Sequence, residues 1–140
     1  MKIFIDTSAF CALAIPHDKH NPAAKIIHEQ MQKSKALIHT SDYVLDEAYT
    51  LLKMRDSHVT AVKFMEQMDK CSINILRVTE DIEKHAKDIF KRFDDKKLSF
   101  TDCASFALIN QFRIDAVFAF DEHFRYHPYV HSVTVLHTHT

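Results

Sequence analysis

Two hydrophobic periods alternate along this chain. Short β-branched and aromatic runs, beginning with Lys2-Ile3-Phe4-Ile5, carry the signal of buried strands. Further runs of this kind predict strands over residues 36–39, 73–78, 116–120 and 133–136. Between them, apolar residues recur at helical spacing. A short helix over 8–15 stops before Pro16. Asn21-Pro22 reads as N-cap and first helical residue of a helix over 21–34, with Ala23, Ile26, Ile27 and Met31 on one face. Val44, Leu45, Ala48, Leu51 and Leu52 stripe a helix over 41–55, and Val59, Val62, Phe64, Met65 and Met68 suggest another up to residue 70. Thr79-Glu80-Asp81 opens a helix carrying Ile82 to Phe93, residues 94–97 form a loop, and Ser99 or Thr101 caps a helix ending near 112. Strands alternating with helices predict an α/β protein. The expected architecture is a three-layer α/β/α sandwich around a mostly parallel five-stranded sheet, joined by right-handed crossovers.

Composition narrows the chemistry. The 140 residues fit one domain spanning 1–140. None of them is glycine, which excludes a P-loop, a dinucleotide-binding G-x-G-x-x-G turn and a G-x-S-x-G nucleophile elbow. The 18 basic and 19 acidic side chains nearly balance, unlike a protein that coats DNA. Three cysteines without C-x-x-C spacing predict reduced, core-packed thiols rather than a disulfide or zinc framework. The N-terminal apolar run is too short for a signal peptide and no run reaches membrane-helix length, so a cytoplasmic location is expected. The 11 histidines show no zinc-binding spacing.

The acids carry the functional signal. Open parallel sheets bind ligands beyond the carboxyl ends of their strands. Asp6 follows the first predicted strand and Asp121 the fourth. Glu47 and Asp102 lie near the starts of helices that should rise from the same edge, on or beside apolar stripes. Singly, each has an ordinary structural role as turn residue, helix-start acid or snorkelling side chain. Together, four carboxylates at one edge repel unless a cation neutralises them, and hard divalent ions such as Mg2+ or Mn2+ prefer oxygen ligands. That combination points to metal-assisted phosphodiester chemistry.

Four segments resemble the motifs of PIN-domain ribonucleases, in order and over essentially the whole chain. They are Ile3-Phe4-Ile5-Asp6-Thr7-Ser8-Ala9, Ser41-Asp42-Tyr43-Val44-Leu45-Asp46-Glu47-Ala48, Leu98-Ser99-Phe100-Thr101-Asp102-Cys103-Ala104-Ser105, and Val117-Phe118-Ala119-Phe120-Asp121-Glu122-His123-Phe124. The resemblance implies an RNA-cutting enzyme with Asp6, Asp102 and Asp121 as metal ligands, and Glu47 completing the catalytic acids. It implies Mg2+ or Mn2+ as cofactor. Chains of this size in the family are commonly VapC-type toxins, which implies an antitoxin partner and a homodimer. A housekeeping RNase or a non-catalytic module of the same fold are the alternatives. Ser8 is a possible auxiliary, as a hydrogen-bond donor to a ligand or as a helix cap. Where the family commonly has a glycine before its third motif, this chain reads Asp95-Lys96-Lys97-Leu98, so a differently shaped loop is expected.

Other readings fit less well. A receiver domain would place paired acids after strand one and an Asp after strand three, and a haloacid-dehalogenase-type phosphatase would read Asp-x-Asp where Asp6-Thr7-Ser8 stands. Lys53, Arg55, Lys96, Lys97, Arg113 and Arg125 could meet RNA phosphates, with none singled out. Tyr43, Tyr49, Leu52, Met54, Phe64, Met65 and Met68 exceed what one buried face needs, and suggest an exposed docking surface.

Overall fold

The computed structural model describes residues 1–126, with side chains to Phe124, and residues 134–136. The elements run β1 (Lys2–Ile5), α1 (Thr7–Ala14), α2 (Asn21–Ser34), β2 (Leu37–Ser41), α3 (Asp42–Arg55), α4 (His58–Lys70), β3 (Asn74–Leu76), α5 (Glu80–Arg92), α6 (Phe100–Gln111), β4 (Ala116–Phe118), α7 (His123–Tyr126) and β5 (Thr134–Leu136). The five strands are parallel in the order β3-β2-β1-β4-β5, and helices cover the sheet as an α/β/α sandwich. β1 sits centrally because Ile3, Phe4 and Ile5 are apolar on both faces and fully buried. The chain winds outward from β1 through β2 to β3, then returns to β1's other side with β4. That reversal opens a crevice at the carboxyl ends of β1 and β4.

Local differences from expectation have local causes. Asn21 is not the cap of α2. His20 occupies that position, and the buried Asn21 side chain instead donates to the Ala12 carbonyl at 2.8 Å, near the end of α1. β4 stops at Phe118 rather than 120, because the Phe120 amide leaves the ladder to bond the Ser8 hydroxyl at 2.9 Å. β3 is shorter than the 73–78 run, and β2 extends to Ser41, whose hydroxyl caps α3. Val133, expected to begin the last strand, lies outside the described residues. Cys11 and Cys103 are core thiols, whereas Cys71 is exposed, a correction to the core-packed reading of all three.

The expected docking surface on α3 and α4 is largely consumed by packing. Leu52 and Phe64 are buried, and Phe64 takes edge-on contacts from Phe10 at 5.1 Å and Tyr49 at 5.8 Å. Tyr43, Tyr49 and Met68 lean on the core. Met54 and Met65 remain exposed, joined by Val59. Among the described residues no helix is long and apolar enough to cross a membrane.

Candidate active site

Asp6 begins where the central strand ends. Its amide makes the last rung toward the Phe118 carbonyl at 3.0 Å, and its extended backbone makes it the N-cap of α1. Oδ2 accepts from the Ser8 amide at 3.2 Å and the Ser8 hydroxyl at 2.7 Å. Ser8 is therefore not the cap. It is a bridge, since the same hydroxyl accepts from the Phe120 amide across the crevice. The other carboxylate oxygen, Oδ1, is buried and has no hydrogen-bond partner.

Asp102 stands in the first turn of α6 in a capping box. Its Oδ2 accepts from the Ser99 amide at 3.0 Å, and its own amide donates to the Ser99 hydroxyl at 3.0 Å. Of the two expected caps the structure uses Ser99, not Thr101. Asp121 sits three residues past β4 and accepts from the His123 amide at 3.0 Å. Ligand atoms of Asp102, Asp121 and His123 lie within 4.8 Å of one another. His123 Nε2 is also 2.8 Å from the Lys97 carbonyl. A carbonyl only accepts, so this nitrogen carries hydrogen and has no lone pair for a cation. The ring is a strut between the Asp121 segment and the loop entering α6. That loop turns without glycine: Asp95 accepts from the Lys97 amide at 3.0 Å through its side chain and from Leu98 at 3.1 Å through its carbonyl.

Asp6, Ser8, Glu47, Asp102 and Asp121 all line one open cavity of ≈ 220 Å³, with Arg55 and Lys97 as its cations. The five residues singled out from the sequence thus meet in one place. The cavity's electrostatics are those of crowded acids. Burial, then the Asp102 and Asp121 charges, push the Asp6 carboxyl up to about 7 against the opposing hydrogen bonds from Ser8. Burial first, with Asp121 and Glu47 adding to it, pushes Asp102 up to about 6. Burial drives the Cys11 thiol on the wall up to about 11, which disfavours its thiolate. An unpartnered, buried carboxylate oxygen beside two further carboxylates is what a hard divalent cation satisfies, so the donor set fits Mg2+ or Mn2+.

Sequence reasoning did not select His123, and it held Arg55 and Lys97 only among six basic residues of which none was singled out. Asp121-Glu122-His123 held a local signal for the first, because an Asp side chain readily accepts from the amide two residues on. Arg55 reaches the cavity because it follows Glu47 and Leu51 at i+4 spacing on one face of α3, so the helical period from Glu47 was the signal that could have found it. Lys53, Lys96 and Arg113 are exposed and absent from the cavity wall, and the Arg125 side chain lies outside the described residues.

Known proteins share both sequence and architecture. The PIN domain family model matches residues 3–128. The 23S rRNA-specific endonuclease VapC20 of Mycobacterium tuberculosis is 34% identical over 123 residues, covering 87% of this chain and 91% of that protein. The crystal structure of that VapC20, a Sarcin-Ricin loop cleaving toxin, superposes with a TM-score of 0.80 at 30% identity, covering 97% of this chain and 99% of the other. VapBC2 of Rickettsia felis, bound to a DNA fragment from the promoter, shares the fold at a TM-score of 0.70 and 11% identity over 97% of this chain and 98% of its own. With its motifs in order, its sheet in this winding and its four acids around one crevice, the chain belongs to the PIN domain family.

Proposed function

We propose that this chain is a divalent-metal-dependent endoribonuclease, the toxin of a toxin-antitoxin pair, acting in the cytoplasm on ribosomal RNA of the large subunit. The observation that carries the nuclease reading is Asp6 Oδ1, buried and unpartnered in a cavity shared with Glu47, Asp102 and Asp121. The substrate class and the toxin role rest on the 34% identity to VapC20. An antitoxin partner and a homodimer belong to the same proposal, the first supported by the VapBC2 complex that shares the fold, and Met54, Val59 and Met65 are exposed apolar positions available to such contacts.

Asp6, Asp102 and Asp121 would hold Mg2+ or Mn2+. When bound, such an ion lowers the pKa of a water and neutralises charge on the scissile phosphate. The chain's own residues set that chemistry up. The Ser8 hydroxyl fixes which Asp6 oxygen stays free. The capping box orients Asp102, and the His123 strut holds Asp121's segment against the loop before α6. Glu47 on α3 completes the acidic wall and would take a proton from the attacking water. Arg55 and Lys97 offer positive charge to the phosphates on either side. Water attack on phosphorus with departure of the 3′ oxygen leaves a 5′-phosphate and a 3′-hydroxyl.

The test is incubation of purified protein with large-subunit rRNA in Mg2+ or Mn2+, against EDTA and an Asp6→Asn control. Discrete fragments with 5′-phosphate ends, lost in both controls, are expected. Intact RNA in either metal overturns the nuclease reading. Growth arrest on expression that Asp6→Asn abolishes, and that the product of a neighbouring gene relieves, tests the toxin role.

A further inference from the structure

A second cavity, of ≈ 200 Å³, adjoins the first across Asp121. Its walls are the rings of His20 and Phe120, its apolar side is Val135 and Leu136, and Glu122 stands at its polar side. The two rings lie face to face, centroids 4.5 Å apart and planes 10° from parallel. Both are half-buried, so aromatic surface remains open to the cavity. We propose that this cavity is a base-binding subsite, in which one nucleobase next to the scissile phosphate stacks on the His20–Phe120 platform. The proposal rests on the nuclease reading of the neighbouring cavity.

Three observations support a base as the occupant. Among the described residues the lining has two carboxylates, Asp121 and Glu122, and no lysine or arginine, a charge that disfavours phosphate but can accept N–H donors from a base edge. Flat aromatic side chains are the usual platform for unstacked RNA bases. The platform is also tied to the catalytic acids. The Phe120 amide bonds the Ser8 hydroxyl, which bonds Asp6, so the ring is held two hydrogen bonds from a candidate ligand. Its other contact, edge-on to Phe118 at 5.8 Å, braces it from the core. His20 is fixed from its own side, its amide on Asp18 Oδ1 at 2.8 Å and its carbonyl accepting from Ala24 at 2.9 Å. His20 as the cap of α2 and Phe120 just past β4 are thus both held by hydrogen bonds, so the platform is preorganised although neither residue is on the sheet.

The experiment uses a randomised single-stranded RNA pool, cut by the full chain in Mn2+ and sequenced at the new ends. Wild type is expected to show a base bias at one position flanking the cut. His20→Ala and Phe120→Leu should flatten that bias and lower kcat/KM about 5- to 150-fold, the range of lost base–aromatic stacking, chiefly through KM. His20→Phe, which keeps a flat ring, should restore most of both. Equal melting temperatures show that the variants fold. Variants that retain wild-type kcat/KM and bias, or an active wild type with no flanking bias, overturn the subsite and leave the nuclease reading standing. A wild type that cuts no RNA overturns both.

Discussion

Asp102 and Ser99 exchange hydrogen bonds, amide to carboxylate and amide to hydroxyl, both at 3.0 Å. One carboxylate therefore closes the capping box of α6 and faces the acidic cavity at once. The two roles separate by substitution. Asp102→Asn keeps an amide oxygen for the Ser99 amide and removes a buried charge, so it should abolish cleavage while melting no lower than wild type. Asp102→Ala also removes the reciprocal bond to the Ser99 amide, leaving the Ser99 cap in place, and should cost about 1 kcal/mol. Thermal denaturation in EDTA distinguishes them. Equal losses in both variants would mean that the charge itself holds the helix start.

Burial and crowding make the metal-free fold sensitive to pH. The Asp6 and Asp102 carboxyls are pushed up to about 7 and about 6, above the roughly 3.9 of an unfolded Asp. The folded chain thus binds more protons than the unfolded chain between about pH 4 and 7, and their contribution to stability falls as pH rises through that window. Asp6→Asn removes the largest part. In EDTA its stability relative to wild type should increase from pH 4.5 to pH 7.5, and saturating Mn2+ should reverse the order by stabilising wild type alone. Urea denaturation at the two pH values measures this. A stability difference independent of pH would contradict the shift assigned to Asp6.

Much of this site was legible before the structure, and the reasons are specific. Asp6 follows an apolar run so short and buried that only a central strand suits it, and Asp102 follows Ser99 at capping-box spacing. What escaped was non-local. The end of β4 is set by Ser8, 112 residues away from Phe120 in sequence. Asn21 turns inward to the end of α1, where its amide replaces a cap, so its own helix begins without a side-chain one. The apolar excess on α3 and α4 looked like a surface because a helical stripe does not reveal that Phe10 and Tyr49 converge on Phe64.

The absence of glycine leaves two helix ends under backbone strain. Lys35 ends α2 at φ 57° and ψ 31°, and Arg113 follows α6 at φ 52°. Around Arg113 the Ile114 amide bonds the Ile109 carbonyl at 3.0 Å and the Arg113 amide bonds Asn110 at 3.4 Å, the pairing in which glycine normally takes the left-handed position. Left-handed backbone costs a side-chain-bearing residue about 1–2 kcal/mol, and glycine's greater unfolded entropy offsets roughly half of that. Lys35→Gly and Arg113→Gly should each raise the melting temperature by a few degrees and act additively, being at different helix ends. A fall in melting temperature for either would show that its side chain outweighs the strain.

Ser8 links acidity to geometry, and a pH profile can separate the two. Its hydroxyl and amide lower the Asp6 pKa against burial, and the hydroxyl also holds Phe120. In Ser8→Ala one of the bonds that favours the Asp6 carboxylate is gone, so the carboxyl titrates at higher pH and protons compete more strongly with a cation for it. The acidic limb of the cleavage profile should move to higher pH. At pH 9 the variant should recover most of the wild-type rate if acidity is the larger effect. A uniform loss at every pH, with the limb unmoved, would instead assign the hydroxyl to positioning Phe120, and the flanking-base bias would then disappear with it.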